Sequence, residues 1–208
     1  MAIRPYAPLD VNRLYDVCLR TGADGEDARG LYRDPRLLGS VYVGPYLALE
    51  PGLAFVLDDD AGHACGYVLG ARDTAAFARA CELEWWPALR AQYPVGAFAD
   101  GSADAEVVAL IHTPNVADPA VLAAYPSHLH IDLLPHCQGT GGGRALMTRL
   151  LASLAEAGSP GVHLVVSSTN ERAIGFYRRM GFADLAASGG GLTMGRRLEP
   201  PPGQPGAH

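Results

Sequence analysis

The chain has 208 residues, 49% of them hydrophobic and 18% charged, which is long enough to bury a core as one globular domain. Its formal net charge is -6 and its 16 cationic residues are dispersed along the chain, which argues against nucleic acid as a partner. All 16 cations are arginine. The absence of lysine excludes a Walker A loop and pyridoxal catalysis, because both need a lysine side chain.

The first ten residues, MAIRPYAPLD, lack the apolar segment of a signal peptide, and no run of about 18 apolar residues occurs. We therefore expect a soluble, cytoplasmic protein with no membrane partner. The four cysteines, at 18, 65, 81 and 137, are far apart and form no CxxC pair. This spacing predicts four reduced thiols rather than a zinc ribbon or a redox dithiol.

Hydrophobic periodicity and turn residues predict the elements in chain order. A short strand at 3–6 precedes an amphipathic helix that starts from an Asp10 N-cap and runs to Gly22. Residues 24–50 mix helical spacing with turn signals, so we expect a second short helix and a substrate-facing loop there. The first strands after that loop are predicted at 53–57 and 64–71, joined by a hairpin turn.

A helical insertion is predicted at about 74–126, before the fourth strand, with helices at 74–92 up to Pro87, around 104–112 and around 118–124. The remaining strands are predicted at 129–134, 162–167, 182–187 and 192–198, and the remaining helices at 141–157 and 170–180. The composition of residues 199–208 predicts a disordered tail, which leaves 1–198 as a single domain.

The stretch HLHIDLLPHCQGTGGGR at 128–144 supports two different kinds of site. Glycines between a predicted strand and the helix that begins near 141 remove side chains that would block close approach. The helix N-terminus presents free N–H groups and a positive dipole end. The sequence therefore predicts an anion-binding loop that needs no lysine; its glycines are Gly139, Gly141, Gly142 and Gly143.

The alternative is a metal site formed by His128, His130 and Asp132, which spell HxHxD. These side chains project from one face of a strand, so they need further ligands from elsewhere to hold an ion. The metallo-hydrolase pattern HxHxDH requires histidine at the next position, where this chain has Leu133. We therefore predict no metal.

A second motif, STNERAIGFYRRMGF at 168–182, has cap residues, a helix and a terminal glycine. With the QxxGxG loop of Gln138, Gly141 and Gly143, it resembles the GCN5-related N-acetyltransferase (GNAT) superfamily. That resemblance implies an α/β (α+β) fold, a central mixed twisted sheet of about six or seven strands flanked by helices. It also implies acetyl-CoA as co-substrate, and a strand at 129–134 that diverges from the strand at 162–167 so that pantetheine lies between them. The implied cofactor-binding residues are Leu133, Leu134, Gln138, Gly139, Thr140, Gly141, Gly142, Gly143, Arg144, Asn170, Phe176 and Tyr177.

The segments SVYVGPYLALEPGLAFVLDD, CGYVLGARD and CELEWWPALRAQYP are similar to bacterial relatives of the acetyltransferase-like C-terminal domain of O-GlcNAc hydrolases. In the animal hydrolases that domain is thought to be a pseudo-acetyltransferase. Two functions therefore stay open. One is an acetyl-CoA-dependent N-acetyltransferase acting on a primary amine, small or peptidic, by direct attack in a ternary complex. The other is a catalytically silent domain that binds CoA or a protein partner, and a homodimer is open in either case.

Amine acetylation needs a base for the amine and an acid for the departing thiolate. Tyr177 is the predicted acid, with an aromatic core residue as the alternative. Asp132 is the predicted base; His130 lies on the same strand face, and either could act through water. A main-chain N–H near Leu134 is the predicted oxyanion donor. The pair Trp85–Trp86 is open to two interpretations, a cage for a cationic amine or a packing anchor.

Overall fold

The computed structural model describes residues 1–199, which form a seven-stranded mixed sheet flanked by helices. Every predicted strand is present, with bounds within two residues of those expected. The strand order is β1-β2-β3-β4-β5-β7-β6, so a sheet of the predicted kind is confirmed. The strands are β1 (Ala2–Pro5), β2 (Ala54–Asp58), β3 (Ala64–Ala71), β4 (Ser127–Leu133), β5 (Gly161–Ser167), β6 (Ala183–Ser188) and β7 (Gly191–Arg197).

Helices cover both faces of the sheet. A Cβ at Gly70 of β3 would point at Leu150, which lies C-terminal to β4 in the chain. Tyr67 is three residues before Gly70 on the same strand, so its side chain lies on the opposite face of the sheet, where it contacts Cys18. No helix in residues 1–199 has the length and apolar character needed to span a membrane. The helices are α1 (Val11–Leu19), α2 (Leu37–Tyr42), α3 (Gly44–Leu49), α4 (Thr74–Ala80), α5 (Trp86–Gln92), α6 (Ala103–His112), α7 (Pro119–Ala124), α8 (Gly142–Glu156) and α9 (Glu171–Arg179).

Three local expectations differ from the structure. Asp10 does not cap α1; its carboxylate accepts from the Arg4 guanidinium at 2.7 and 2.8 Å and from the N–H of Ala7, because a charged donor competes for it. Helical structure continues past Pro87, which lies in the first turn of α5 after a π-helical turn at Cys81–Trp85. Residues 24–50 contain two short helices instead of one, and the predicted disordered tail falls almost entirely outside the described residues.

The sheet parts between β4 and β5. These strands are parallel and pair at two positions only, Ser127 with Val162 and His128 with His163. Beyond them β4 stays paired with β3 as far as Leu133, while β5 stays paired with β7 as far as Ser167. Each strand is therefore held by its outer neighbour, and the predicted divergence of the two strands is confirmed.

The prediction of four reduced cysteines is wrong for one pair. Cys65 and Cys137 form a disulfide, and Cys18 and Cys81 are free and buried. The antiparallel register of β3 and β4 places Gly66 opposite Leu133, which brings the start of β3 next to the turn at Pro135–Cys137. The sequence separation of 72 residues hides this proximity from spacing rules.

Breaking that disulfide should lower stability. In the chain-entropy model a bond across 72 residues contributes about 4 kcal/mol. Urea unfolding of the wild type should show a lower midpoint with a reductant than without, while a Cys65→Ser, Cys137→Ser double variant should show the low midpoint in both conditions. Four titratable thiols in denatured, unreduced protein, with one midpoint throughout, would show that the bond is absent in solution.

Candidate functional site

The gap between β4 and β5 opens into a cleft of about 750 Å³. The two strands form its walls, α9 lines one side, and the loop before α8 forms its floor. None of the lining residues comes from the insertion at 74–126. The lining includes Thr21, Asp24, Gly25, Glu26, His130, Asp132, Leu133, Gln138, Gly139, Gly141, Gly143, Arg144, Asn170, Arg172, Phe176, Tyr177 and Arg179.

The glycine loop is fixed by its own side chains. The Gln138 amide donates to the carbonyl of Leu133 at 2.7 Å, which ties the loop to the end of β4. The Thr140 hydroxyl donates to the carbonyl of Cys137 at 2.9 Å, and Cys137 is itself bonded to β3. Gly141, the residue before α8, has a φ of 89°, a left-handed conformation that favours glycine. The loop is therefore preorganised.

The same loop leaves main-chain donors free at the cleft. Within residues 1–199, nothing accepts a hydrogen bond from the N–H of Gly141, Gly143 or Arg144. Gly142 is buried, and a Cβ there would lie 2.5 Å from a Leu57 methyl carbon, so this glycine lets α8 pack closely on β2. The donors and the positive end of the α8 dipole fit a pyrophosphate group.

Three arginines line the cleft near this loop. Arg144 was predicted from the motif, whereas Arg172 and Arg179 of α9 were missed. Their spacing of seven residues was the available signal, because it places both on the face of α9 that carries Ala173 and Phe176. The cationic side chains add charge attraction for an anionic ligand.

Asn170 connects two parts of the cleft rim. Its side-chain oxygen accepts from the N–H of Ala173 and so caps α9, while its amide donates to the carbonyl of Asp24 at 2.9 Å. Asp24 has a positive φ of 55°, in the loop between α1 and α2. That loop contributes Asp24, Gly25 and Glu26 to the lining, as the substrate-facing loop was expected to, although these residues were not singled out from the sequence.

Asp132 lies in the cleft wall with its carboxylate bonded to Tyr67. The Tyr67 hydroxyl donates to it at 2.5 Å. Burial raises the pKa of the Asp132 carboxyl, and the hydrogen bond from Tyr67 opposes that rise. Nearby His130 is neutral at pH 7, because burial lowers its pKa to about 4. Both groups can therefore accept a proton.

Tyr177 and Phe176 project from α9 into the same cleft. The Tyr177 ring packs edge-on against Phe176 and Phe182, with ring centroids 5.4 and 5.9 Å apart. Burial, with a smaller contribution from the negative charge of Asp132, raises the pKa of Tyr177 well above its usual value. The phenol therefore keeps its proton at neutral pH and is available as a donor.

The oxyanion donor predicted near Leu134 is not the N–H of Leu134 itself. Its N–H donates to the carbonyl of Cys65 at 2.8 Å, and its side chain is fully buried. Main-chain groups alternate between the two edges of a strand, so the N–H of Leu133 points away from β3, towards the parting. The Leu133 carbonyl confirms this direction, because it accepts from Gln138 in the loop.

The HxHxD residues do not converge on one point. Both ring nitrogens of His128 are hydrogen-bonded, to the Tyr46 hydroxyl at 2.6 Å and the Thr74 hydroxyl at 2.8 Å. The Asp132 carboxylate instead accepts a hydrogen bond from the Tyr67 hydroxyl. In the described part of the chain, the potential metal ligands that lie close together are Cys65, His136 and Cys137, and the two sulfurs there are bonded to each other.

The two tryptophans are packing residues. The Trp85 indole N–H donates to the carbonyl of Ser40 at 2.9 Å, and Trp86 is buried in the core. Glu82, three residues before Trp85, is paired with Arg90 at 2.8 Å. The structure therefore supports the second interpretation of the two tryptophans, in which they pack the insertion against α2.

The divergence of β4 and β5 and the glycine loop at the floor of the cleft are together typical of an acetyltransferase fold. Residues 27–182 match the model of the Acetyltransferase (GNAT) family. The chain belongs to this family, as its two motifs predicted.

Individual proteins of known sequence or structure resemble this chain to different degrees. Protein O-GlcNAcase of Rattus norvegicus is 30% identical over 186 residues, which are 88% of this chain and 20% of that protein. The chain thus spans about a fifth of this curated relative. The crystal structure of SsHAT is 47% identical, with a TM-score of 0.89 over 94% of this chain and 97% of that one. Naa20 of Chaetomium thermophilum, solved with a bisubstrate analogue, shares the fold at 20% identity and a TM-score of 0.54, over 95% of this chain and 87% of that one.

Replacing Gly143 should test the loop most cleanly. A Cβ at Gly143 has room, 3.7 Å from Leu133 and Phe176, and its φ is not left-handed, so valine there fills the floor without backbone strain. Gly143→Val should weaken acetyl-CoA binding by about tenfold or more, because the anion can no longer approach the N–H groups closely. Calorimetry measures this, with Ala145→Val as the matched control on the exposed side of α8. Equal affinities in the two variants would contradict the loop assignment.

Proposed function

We propose that the chain is an acetyl-CoA-dependent N-acetyltransferase that moves an acetyl group to a primary amine by direct attack in a ternary complex. One observation carries the proposal. A single cleft joins free main-chain donors at a helix N-terminus to a half-buried carboxylate and a half-buried phenol, Asp132 and Tyr177. This arrangement combines an anion site with a base and an acid.

The loop supplies the proposed cofactor site. The N–H groups of Gly141, Gly143 and Arg144 would hold the pyrophosphate, and the arginines at 144, 172 and 179 would balance its charge. Gln138, Gly139, Thr140 and Gly142 contribute by shaping the loop. The pantetheine arm fits between β4 and β5, where the edge of each strand beyond His128 and His163 is free of partners from the other strand.

Asp132 is the proposed base. A protonated amine must lose a proton before it attacks a thioester, and the raised pKa of this carboxyl makes it a stronger acceptor than a solvated aspartate. Because the ionised form is the active one, the rate should rise with pH through this pKa. His130, also in the cleft wall and neutral, is the alternative acceptor.

Tyr177 is the proposed acid. Its raised pKa keeps the phenol protonated across the neutral range, so it can donate to the departing thiolate of CoA. Its ring is held by Phe176 and Phe182, which limits its rotation. The N–H of Leu133 is the proposed donor to the developing oxyanion.

A catalytically silent domain is the second candidate. The likeness to part of protein O-GlcNAcase supports it, because the acetyltransferase-like domain of the animal hydrolases is thought to be a pseudo-acetyltransferase. The complete loop and the pair of titratable groups in the cleft support the active form instead.

For the acceptor, the carboxylates of Asp24 and Glu26 at the cleft rim favour a cationic amine, small or peptidic.

Calorimetry and a thiol-release assay separate the two candidates. Acetyl-CoA should bind with an affinity that weakens as salt screens the arginines, and CoA thiol should appear only when a panel of amines and amine-terminal peptides includes an acceptor. Amine-independent hydrolysis, measured in parallel, is the control. Binding without turnover for every amine class would favour the silent domain, and no binding at all would overturn the assignment.

Tyr177→Phe tests the proposed acid. The variant keeps the ring and its packing but removes the proton, so turnover should fall by about 10²–10⁴-fold while acetyl-CoA affinity hardly changes. If Tyr177 is only a core aromatic, turnover stays and stability falls by at most about 1 kcal/mol. Steady-state thiol release, thermal melting and calorimetry are needed together, and wild-type turnover in the variant would remove Tyr177 from the mechanism.

A further inference from the structure

Behind the cleft wall, a buried tyrosine contacts the proposed base. Tyr67 of β3 and Asp132 of β4 are paired directly across the antiparallel ladder, so their side chains leave the sheet on the same face. Tyr67 has no solvent-exposed surface, whereas Asp132 lines the cleft. The 2.5 Å hydrogen bond between them therefore connects the core to the proposed base in the cleft wall.

We propose that Tyr67 is a positioning residue for Asp132, holding the carboxylate in one orientation and favouring its ionised form; this inference rests on the proposed function. Tyr67 does not line the cleft, so it acts through Asp132 alone.

The direction of this hydrogen bond follows from the groups around it. Burial and the charge of Asp132 raise the pKa of Tyr67 well above its usual value, so the phenol keeps its proton and is the donor. The Cys18 thiol of α1, next to the same phenol, also stays protonated because burial raises its pKa. Within residues 1–199 no cationic side chain shifts the pKa of Asp132, so a neutral donor has to stabilise its charge.

The other neighbours cannot replace Tyr67. The Thr21 hydroxyl lies beside the carboxylate, but it donates to the main-chain carbonyl of Val17 at 2.9 Å, and a hydroxyl has one proton. Tyr177, on α9, and His130, on β4, are the remaining titratable groups near Asp132, and we assign both to the cleft side. Tyr67 is thus the neutral donor that stabilises this half-buried carboxylate.

The test is the pH dependence of kcat/KM in Tyr67→Phe. The wild-type rate should rise with pH through the pKa of Asp132. Loss of a donor to a half-buried carboxylate should move that rise about one unit higher, which lowers kcat/KM about tenfold on its acid side. Tyr46→Phe is the matched control, because its buried hydroxyl bonds His128 instead of Asp132. It should lose comparable stability and leave the pH profile in place.

A second readout does not depend on turnover. In protein labelled with ¹³C at aspartate carboxyls, the Asp132 resonance, assigned through Asp132→Asn, should titrate about one unit higher in Tyr67→Phe than in wild type or Tyr46→Phe. An unshifted titration would overturn the positioning role, even if Tyr67→Phe is less stable. A shifted titration in a protein without acetyl transfer would keep the Tyr67–Asp132 link while rejecting the proposed function.

Discussion

The short pairing of β4 with β5 is the constraint on which the cleft depends. Two paired positions join the halves of the sheet, and all further strand pairing of β4 and β5 is with their outer neighbours, β3 and β7. An opened parallel ladder leaves main-chain groups without sheet partners, which is costly in a core but useful where a ligand supplies the partners. The parting therefore leaves unpaired main-chain groups facing the cleft, and the loop at the cleft floor adds the free N–H groups of the proposed anion site.

Rigidity around that parting comes from several independent links. Gln138 holds the loop to β4, and the disulfide holds the adjacent turn to β3. Asn170 joins the start of α9 to the loop between α1 and α2. Because each link uses different elements, the floor, wall and rim of the cleft are fixed separately. Preorganisation of this kind lowers the entropy lost when a flexible ligand is bound.

The sequence predicted every strand and the glycine loop because both depend on local patterns: apolar runs, turn residues and helix caps. It failed where the outcome depends on contacts between distant segments. The Cys65–Cys137 bond follows from strand register. The Leu134 N–H is not available as an oxyanion donor, because it donates to the carbonyl of Cys65. Asp10 was assigned to a helix cap because Arg4, its actual partner, lies outside the capping motif. Tyr67 was not singled out, since only the β3–β4 register places it opposite Asp132.

The insertion between β3 and β4 is attached to the sheet at two neighbouring points. Its ends meet through the β3–β4 ladder, and the disulfide closes the same interval covalently. It packs on the scaffold through Trp85 and Trp86 and contributes none of the residues lining the cleft. A segment fastened in this way can change in length or sequence at small entropic cost without disturbing the strands that bracket it. A new surface could therefore be added to this segment while the residues that line the cleft keep their positions.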